Sequence, residues 1–265
     1  MVGPISPMLK IWLFQSEALD MMDPALMAEF LGTFLLVVLG QGVVSNVLLS
    51  KTKGHGAGLI VITAGWAFAV TVGVYASKSA SGGHLNPAVT IAQAVVGRFA
   101  WSKVGGYLLA QMAGAISGSV IAWVAYWPHF EETADPATKL AVFATGPAIR
   151  KPVDNFLSEM IGTFVLMFGL LMIFSESNFE KGSDLERGFS PMLVGLLVWA
   201  IGVSLGGATG YAINPARDLG PRIAHWILPI VGKGTSDWSY AWVPVAGPIA
   251  GAILGALVHQ WLGLK

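Results

Sequence analysis

The tripeptide Asn-Pro-Ala occurs twice in this chain, at residues 86–88 and 214–216, and each copy lies between apolar stretches. Asn is a good helix N-cap, because its side-chain oxygen accepts a backbone N–H while its NH₂ group remains free to donate. Pro suits the next position, since its φ is already helical and an N–H there would have no partner within the helix. Each copy therefore predicts the start of a helix with an amide projecting from its N-terminus.

Charged residues are too rare for an ordinary soluble domain. They make up 11% of the 265 residues, whereas apolar residues make up 54%; a typical soluble domain is about a quarter charged. Apolar segments of roughly 20 residues are long enough to cross a bilayer. We predict six such spans, at residues 25–49, 59–77, 103–126, 155–174, 191–205 and 241–262.

Two shorter apolar pieces begin at the Asn-Pro-Ala copies and cover residues 86–96 and 214–226. Neither can cross a bilayer alone, which is the behaviour expected of a re-entrant half-helix inside the protein. The sequence therefore predicts an all-α membrane protein with six transmembrane helices and two re-entrant half-helices.

The two halves of the chain resemble each other. Residues 28–34 (Ala-Glu-Phe-Leu-Gly-Thr-Phe) match residues 158–164 (Ser-Glu-Met-Ile-Gly-Thr-Phe), which aligns Glu29 with Glu159. Each half holds three predicted spans, and because three is odd the second half must be inverted in the membrane. Such inverted repeats place the solute site near the bilayer midplane, where the broken helices meet.

This repeat divides the chain into four parts. Residues 127–154 form a connecting loop that is either a vestibule or lid, or a plain connector. The predicted divisions are an N-terminal lead-in at 1–24, a first repeat at 25–126, the connecting loop at 127–154 and the inverted second repeat at 155–265.

The meeting point of the two half-helices suits a neutral hydroxylated solute. Helix N-termini carry partial positive charge, which repels cations and hydronium. The amides of Asn86 and Asn214 donate hydrogen bonds to a solute oxygen. The small residues at 81–83 and 206–210 leave backbone carbonyls available as acceptors. Donors and acceptors along an apolar wall suit water and small alcohols.

Several classes of function are disfavoured. The net charge is zero, which gives no indication of a nucleic-acid partner, and the five His show no metal-ligand spacing. We find no hydrolytic constellation and therefore predict no enzyme activity, no metal and no cofactor. Basic residues are spread about equally over the two predicted sides, so the positive-inside rule does not decide the orientation.

The paired Asn-Pro-Ala motifs, the sequence Ala-Glu-Phe-Leu-Gly-Thr at 28–33 and Asn-Pro-Ala-Arg-Asp at 214–218 together resemble the aquaporin superfamily. The resemblance is to its glycerol-facilitator (aquaglyceroporin) branch and runs from about residue 25 to the C-terminus. It implies a homotetramer with one pore per subunit, in the cell membrane, with both termini cytoplasmic. It also implies passage of glycerol, water and other small uncharged solutes, with ions and protons excluded.

The same resemblance implies a narrow outer filter formed by Trp66, Gly202, Tyr211 and Arg217. The guanidinium of Arg217 would donate to solute hydroxyls, and Trp66 would pack against the carbon skeleton of the polyol. Gly202 stands where water-specific members have His, which implies a wider filter. Tyr211 stands where this branch typically has Phe, so its hydroxyl would make the filter more polar or narrower. Dihydroxyacetone, urea, hydrogen peroxide and protonated lactic acid therefore remain open as solutes.

Further residues are assigned to the pore by the resemblance. Glu29 and Glu159 would accept hydrogen bonds from the backbone before each half-helix, although a proton relay is an alternative, and Asp218 would bond nearby backbone. The central motifs are Asn86, Pro87, Ala88, Asn214, Pro215 and Ala216; the pore-lining backbone is Gly82, Gly83, His84, Gly210, Tyr211 and Ala212; the apolar wall is Val70, Leu85, Val198 and Ile213; the structural supports are Glu29, Glu159 and Asp218.

Two other functions remain open at this point. One is a water-selective channel of the same fold. The other is a coupled secondary transporter, which also uses inverted repeats but requires an ion site at the midplane. The sequence offers no membrane carboxylate for such a site apart from Glu29 and Glu159.

Overall fold

A computed structural model of the protein describes residues 23–264, and these residues form ten helices and no strand. Almost all of the predicted lead-in therefore lies outside the described residues. Six of the helices are long and apolar enough to cross a membrane, which confirms the predicted membrane class. They are α1 (Pro24–Leu48), α2 (Leu59–Ser81), α4 (Trp101–Ala125), α7 (Pro152–Ile173), α8 (Asp184–Thr209) and α10 (Val243–Trp261).

Local sequence signals explain where several of these helices begin and end. Asp23 caps α1 by accepting a hydrogen bond from the backbone N–H of Ala25 at 2.9 Å, and Pro24 occupies the first helical position. The helices α2 and α8 both end at a glycine in the left-handed region, Gly82 with φ 88° and Gly210 with φ 83°. The two halves therefore terminate the helix before each Asn-Pro-Ala motif in the same way.

The predicted fifth span, residues 191–205, is too short. The helix α8 begins at Asp184, because Ser183 caps it by accepting from the backbone N–H of Glu186 at 3.1 Å. Pro191 lies inside the helix rather than at its start. The prediction from apolar residues did not include this polar first turn of α8. It also ended α2 at residue 77 instead of Ser81, because the last turn of α2 is polar as well.

The two half-helices are α3 (Pro87–Val95) and α9 (Pro215–Ile227). The predicted connecting loop contains two short helices, α5 (Trp127–Glu132) and α6 (Pro136–Phe143). Asp135 caps α6 by accepting from two backbone N–H groups. The segment between α4 and α7 is thus an ordered part of the fold, and α6 packs against both α1 and α9.

The long helices pack as two equivalent sets. In the first half α1 packs against α2 and α4, in the second half α7 packs against α8 and α10, and α2 meets α8 between the halves. Glycines allow the close crossings. A Cβ at Gly114 of α4 would lie 3.1 Å from the backbone nitrogen of Phe34, and one at Gly251 of α10 would lie 3.0 Å from Cα of Met160.

We expect Gly114→Ala to destabilise the protein by about 1–3 kcal/mol, because the added methyl meets backbone that cannot move independently. The matched control is Gly105→Ala on the same helix, where no atom lies within 4 Å of the added methyl. Thermal unfolding in detergent should give a lower Tm for Gly114→Ala alone. Equal Tm values for the two variants would contradict this account of the crossing.

Candidate functional site

The two Asn-Pro-Ala motifs bind each other directly. The side-chain nitrogen of Asn86 donates to the carbonyl of Ile213 at 2.8 Å, and that of Asn214 donates to the carbonyl of Leu85 at 2.8 Å. Each Asn oxygen also caps its own half-helix by accepting from the backbone N–H of Ala88 or Ala216 at 2.9 Å. The N-termini of α3 and α9 therefore meet, with one N–H of each amide left over.

In the first half a buried carboxylate supports the segment before the motif. Glu29 on α1 accepts from the backbone N–H groups of His84 at 2.9 Å and Leu85 at 2.7 Å, and from the hydroxyl of Ser81 at 2.6 Å. The side-chain nitrogen of Gln111 donates to the same carboxylate at 2.7 Å. The carboxylate is thus fully engaged in holding the backbone.

Glu159 on α7 repeats this arrangement in the second half. It accepts from the backbone N–H groups of Ala212 and Ile213, both at 2.9 Å, and from the hydroxyl of Thr209 at 2.6 Å. These three contacts correspond to those of Glu29 with Ser81, His84 and Leu85, while the bond from Gln111 is specific to Glu29. They match a structural support better than a proton relay, because each carboxylate oxygen already accepts hydrogen bonds from fixed donors.

The supported backbone is strained. Leu85, Tyr211 and Ile213 are not glycines, yet their φ angles are 53°, 40° and 44°. Such conformations cost of order 1–3 kcal/mol each and persist only where the surroundings impose them. The carboxylates bind the N–H groups of Leu85 and Ile213, and the carbonyls of these two residues are held where the opposite Asn can bind them.

A cavity of about 460 Å³ runs past this meeting point. Trp66, Val70, Val74 and Lys78 all line it, and they lie one turn apart on the same face of α2. At 1.5 Å per residue the cavity therefore follows α2 for about 18 Å. Most other lining side chains are apolar: Leu36, Leu85, Val89, Leu166, Leu170, Leu171, Val194, Val198 and Ile213.

Two segments, each just before an Asn-Pro-Ala motif, bring hydrogen-bonding groups to the cavity wall. The predicted pore-lining residues Gly82, Gly83, His84, Tyr211 and Ala212 lie on these segments, and Asn86 and Asn214 follow them. The ring of His84 is held by Thr90, whose hydroxyl lies 3.1 Å from Nδ1. Helices α1, α2, α7 and α8 supply most of the apolar side chains, so the wall combines hydrogen-bonding groups with hydrocarbon.

Arg217 and Trp66 close one end of the cavity. The guanidinium carbon of Arg217 lies 3.8 Å from the centre of the Trp66 ring, a cation–π contact. Within residues 23–264 the guanidinium donates no hydrogen bond to protein, and Arg217 lines the cavity. Its donors are therefore available to a solute, while the indole supplies an apolar face.

Tyr211 is placed differently from the sequence expectation. Its hydroxyl is buried and has no hydrogen-bond partner in the described part of the chain. The ring lies beside α8, where a Cβ at Gly202 would lie 3.0 Å from Cζ of the ring. Burial of the hydroxyl disfavours the expected gain in polarity, and the expected narrowing of the filter stays a prediction.

Some predicted pore residues lie behind the cavity wall. Gly202 is covered by the ring of Tyr211, and Gly210 packs against Thr145. Neither glycine lines the cavity. Because they have no side chain, they leave space for the ring of Tyr211 and for Thr145. Four residues of the central motifs are likewise buried behind the two Asn: Pro87, Ala88, Pro215 and Ala216.

Sequence reasoning missed two features of the site. The first is the basic end of the cavity, lined by Lys78, Arg98 and Lys181. Lys78 is paired with Glu186 of α8, a contact between the two halves that no local pattern indicates. The second is Gln111, whose amide bonds Glu29. Gln111 is a polar residue inside an apolar predicted span, and this pattern could have indicated a buried hydrogen-bonding role.

Comparison with known proteins agrees with this geometry. The model of the family "Major intrinsic protein" matches residues 18–259. The chain belongs to the major intrinsic protein family. Members at high identity include the "Probable glycerol uptake facilitator protein" of Thermotoga maritima, with 58% identity over 89% of this chain and 98% of that protein. The "Glycerol uptake facilitator protein 3" of Lactiplantibacillus plantarum is 56% identical over 90% of this chain and 98% of its own length.

A solved structure supports the same family fold. The aquaglyceroporin from Plasmodium falciparum superposes with a TM-score of 0.78 at 30% identity, covering 89% of this chain and 95% of that chain. The predicted resemblance to the aquaporin superfamily is therefore confirmed, and this family member is a multi-pass membrane protein.

We expect Glu159→Gln to destabilise the protein, because a Gln side chain offers one acceptor oxygen and leaves a buried N–H of the segment before α9 unpaired. The loss should be about 1–3 kcal/mol. The control is Glu176→Gln at an exposed position. Thermal unfolding in detergent measures both, and a proton-flux assay in liposomes tests the relay alternative. A proton current in the wild type that Glu159→Gln abolishes would refute the structural role.

We expect Tyr211→Phe to leave the ratio of glycerol to water permeability unchanged within about twofold, because the lost hydroxyl does not reach the cavity and bonds nothing in the described chain. Stopped-flow light scattering on proteoliposomes measures both permeabilities. A larger shift in the ratio would show that the hydroxyl acts on the solute after all.

Proposed function

We propose that this protein is a passive transmembrane channel for glycerol and other small uncharged solutes, including water. The observation that carries the proposal is the cavity itself. It follows α2 for about 18 Å, and its wall combines the hydrogen-bonding groups of the two segments before the motifs with apolar side chains of the long helices. A polyol matches such a wall, because its hydroxyls lie on one edge of a carbon chain.

The end of the cavity at Arg217 favours glycerol as the preferred solute. The free donors of Arg217 suit hydroxyl oxygens, and the ring of Trp66 beside them suits the CH groups. Tyr211 presents an aromatic edge on the same lumen. The relatives in Thermotoga maritima and Lactiplantibacillus plantarum carry the name glycerol uptake facilitator, which supports the same solute here.

The same geometry supports exclusion of ions and protons. The N-termini of α3 and α9 meet at Asn86 and Asn214, and each contributes roughly half a positive charge. Arg217 adds a full charge at the narrow end. A water oxygen at this point accepts hydrogen bonds from the two Asn amides and cannot accept another from a neighbouring water. The chain of hydrogen-bonded water that would conduct protons is therefore interrupted.

A coupled transporter is less well supported. Such a protein requires an ion site at the midplane, whereas Glu29 and Glu159 already accept hydrogen bonds from backbone and hydroxyl donors. We therefore propose flux that follows the solute gradient alone. The wall chemistry likewise calls for no reaction, in keeping with a channel rather than an enzyme.

We also propose that the protein forms a homotetramer in the cell membrane with both termini cytoplasmic. Six spans place residues 23 and 264 on the same side of the bilayer. Large apolar side chains are exposed on the outer faces of the long helices, such as Phe68 at 60% and Leu109 at 74%, and these faces suit contact with lipid or with another subunit. The cavity lies within one chain, so each subunit would have its own pore.

The test of the function is stopped-flow light scattering on proteoliposomes challenged first with sucrose and then with glycerol. We expect fast re-swelling in glycerol, with a low activation energy and no dependence on ion gradients. Water shrinkage without glycerol re-swelling would replace this proposal with a water-selective channel. Flux that requires an ion gradient would replace it with a coupled transporter.

A substitution in the wall tests the route of the solute. We expect Gly202→His to lower glycerol permeability by about tenfold or more and water permeability much less, because the new side chain displaces the Tyr211 ring into the lumen. A Cβ at Gly202 would already lie 2.9 Å from Cγ2 of Thr63. The control is Gly207→His on the same helix, with no atom within 4 Å. Equal losses for both solutes would contradict the assignment.

A further inference from the structure

One residue of the segment between α4 and α7 is hydrogen-bonded to the start of α9 and packs against the end of α8, near the end of the cavity at Arg217. Thr145 donates two hydrogen bonds to the same oxygen of Asp218, from its backbone nitrogen and from its hydroxyl, both at 2.7 Å. Asp218 directly follows Arg217 in the first turn of α9. Thr145 is therefore attached to the turn that carries the Arg217 guanidinium.

The carbonyl of Thr145 is attached to the same helix. It accepts a hydrogen bond from Nη2 of Arg222 at 3.0 Å, and Arg222 in turn forms a fully buried ion pair with Asp218 at 2.8 Å. All three hydrogen-bonding groups of Thr145 are thus used by two charged residues of α9. Charge-assisted hydrogen bonds of this kind are stronger and more directional than neutral ones.

The methyl side of Thr145 meets the opposite wall. A Cβ at Gly210 would lie 3.3 Å from both Cβ and Cγ2 of Thr145, so the two residues are closely packed. Gly210 ends α8 and directly precedes Tyr211, whose φ of 40° is strained. A second tether nearby, from the backbone nitrogen of Ala148 to the carbonyl of Ala208 at 3.0 Å, holds the same segment against α8.

We propose that Thr145 is a positioning residue that sets the separation between the Tyr211 wall and the Arg217 wall of the filter, and thereby the size of solute that passes. Its polar atoms hold the start of α9, while its methyl group limits the approach of the segment before Tyr211. Thr145 itself does not line the cavity, so it acts through its neighbours. The connecting segment is then part of the selectivity apparatus rather than a plain connector.

The size of the expected effect follows from the dimensions of small solutes. One additional CH(OH) group distinguishes a four-carbon polyol from glycerol, and single groups of this size are discriminated by well-packed sites. Removing the Thr145 hydroxyl leaves Asp218 with one of its two bonds to the segment. The two walls can then move apart, and the permeability of larger polyols rises more than that of glycerol.

The test compares Thr145→Val with wild type in proteoliposomes, using glycerol and erythritol as probes. We expect the erythritol to glycerol permeability ratio to rise by at least about threefold, because Val keeps the size of Thr and lacks the donor. Thr145→Ser retains the donor and should give a ratio close to that of wild type. Size-exclusion chromatography and Tm report folding; if Thr145→Val fails to fold, Thr145→Cys provides the same comparison with a weaker donor.

The matched control is Thr133→Val in the same connecting segment. The hydroxyl of Thr133 accepts from the backbone nitrogen of Ser50 at 2.9 Å and donates to the carbonyl of His129 at 2.7 Å, away from the filter. The erythritol to glycerol permeability ratio of Thr133→Val should equal that of wild type. An unchanged ratio in folded Thr145→Val, or an equal rise in Thr133→Val, would overturn the inference.

This inference rests on the proposed function, and the two can fail separately. A wild-type protein that carries no glycerol would refute the channel for glycerol. A wild type that carries glycerol, with a ratio that Thr145→Val does not alter, would refute only the positioning role.

Discussion

The reciprocal hydrogen bonds between the two Asn-Pro-Ala motifs are the contact on which the rest of the structure depends. Asn86 and Asn214 each cap their own half-helix and each bind the carbonyl that precedes the other motif. Two short helices that could not cross a bilayer separately are thereby joined at their N-termini. Their partial positive charges are concentrated where the cavity passes, and the remaining amide donors are directed at whatever occupies it.

This joint requires strained backbone, and the strain explains the buried carboxylates. Leu85 and Ile213 have positive φ angles, which present their carbonyls to the opposite Asn. Glu29 and Glu159 bind the N–H groups of these same residues and hold them in place. An acid in the middle of a membrane helix, which would ordinarily suggest ion or proton transfer, here accepts hydrogen bonds from these backbone donors.

The two ends of the cavity differ because the halves diverge outside this shared framework. Arg217, Trp66 and Tyr211 form one end, and the residues that hold it are Asp218, Arg222 and Thr145. Within residues 23–264 the opposite end of the cavity is lined by basic side chains instead. The inverted repeat therefore builds a symmetric centre, whereas the end at Arg217 combines Trp66 of the first half with residues of the second half and of the connecting segment.

The sequence by itself determined the membrane class, the six spans and the two half-helices, because these depend on local properties: apolar length, N-caps and helix-breaking residues. Internal similarity between the two halves also relates Glu29 to Glu159. Only the tertiary structure decided that the Tyr211 hydroxyl is buried, that Gly202 lies beside that ring, and that Thr145 bonds Asp218 and packs against Gly210. These facts depend on which way a side chain packs against residues far along the chain. Neither periodicity nor motif spacing carries that information.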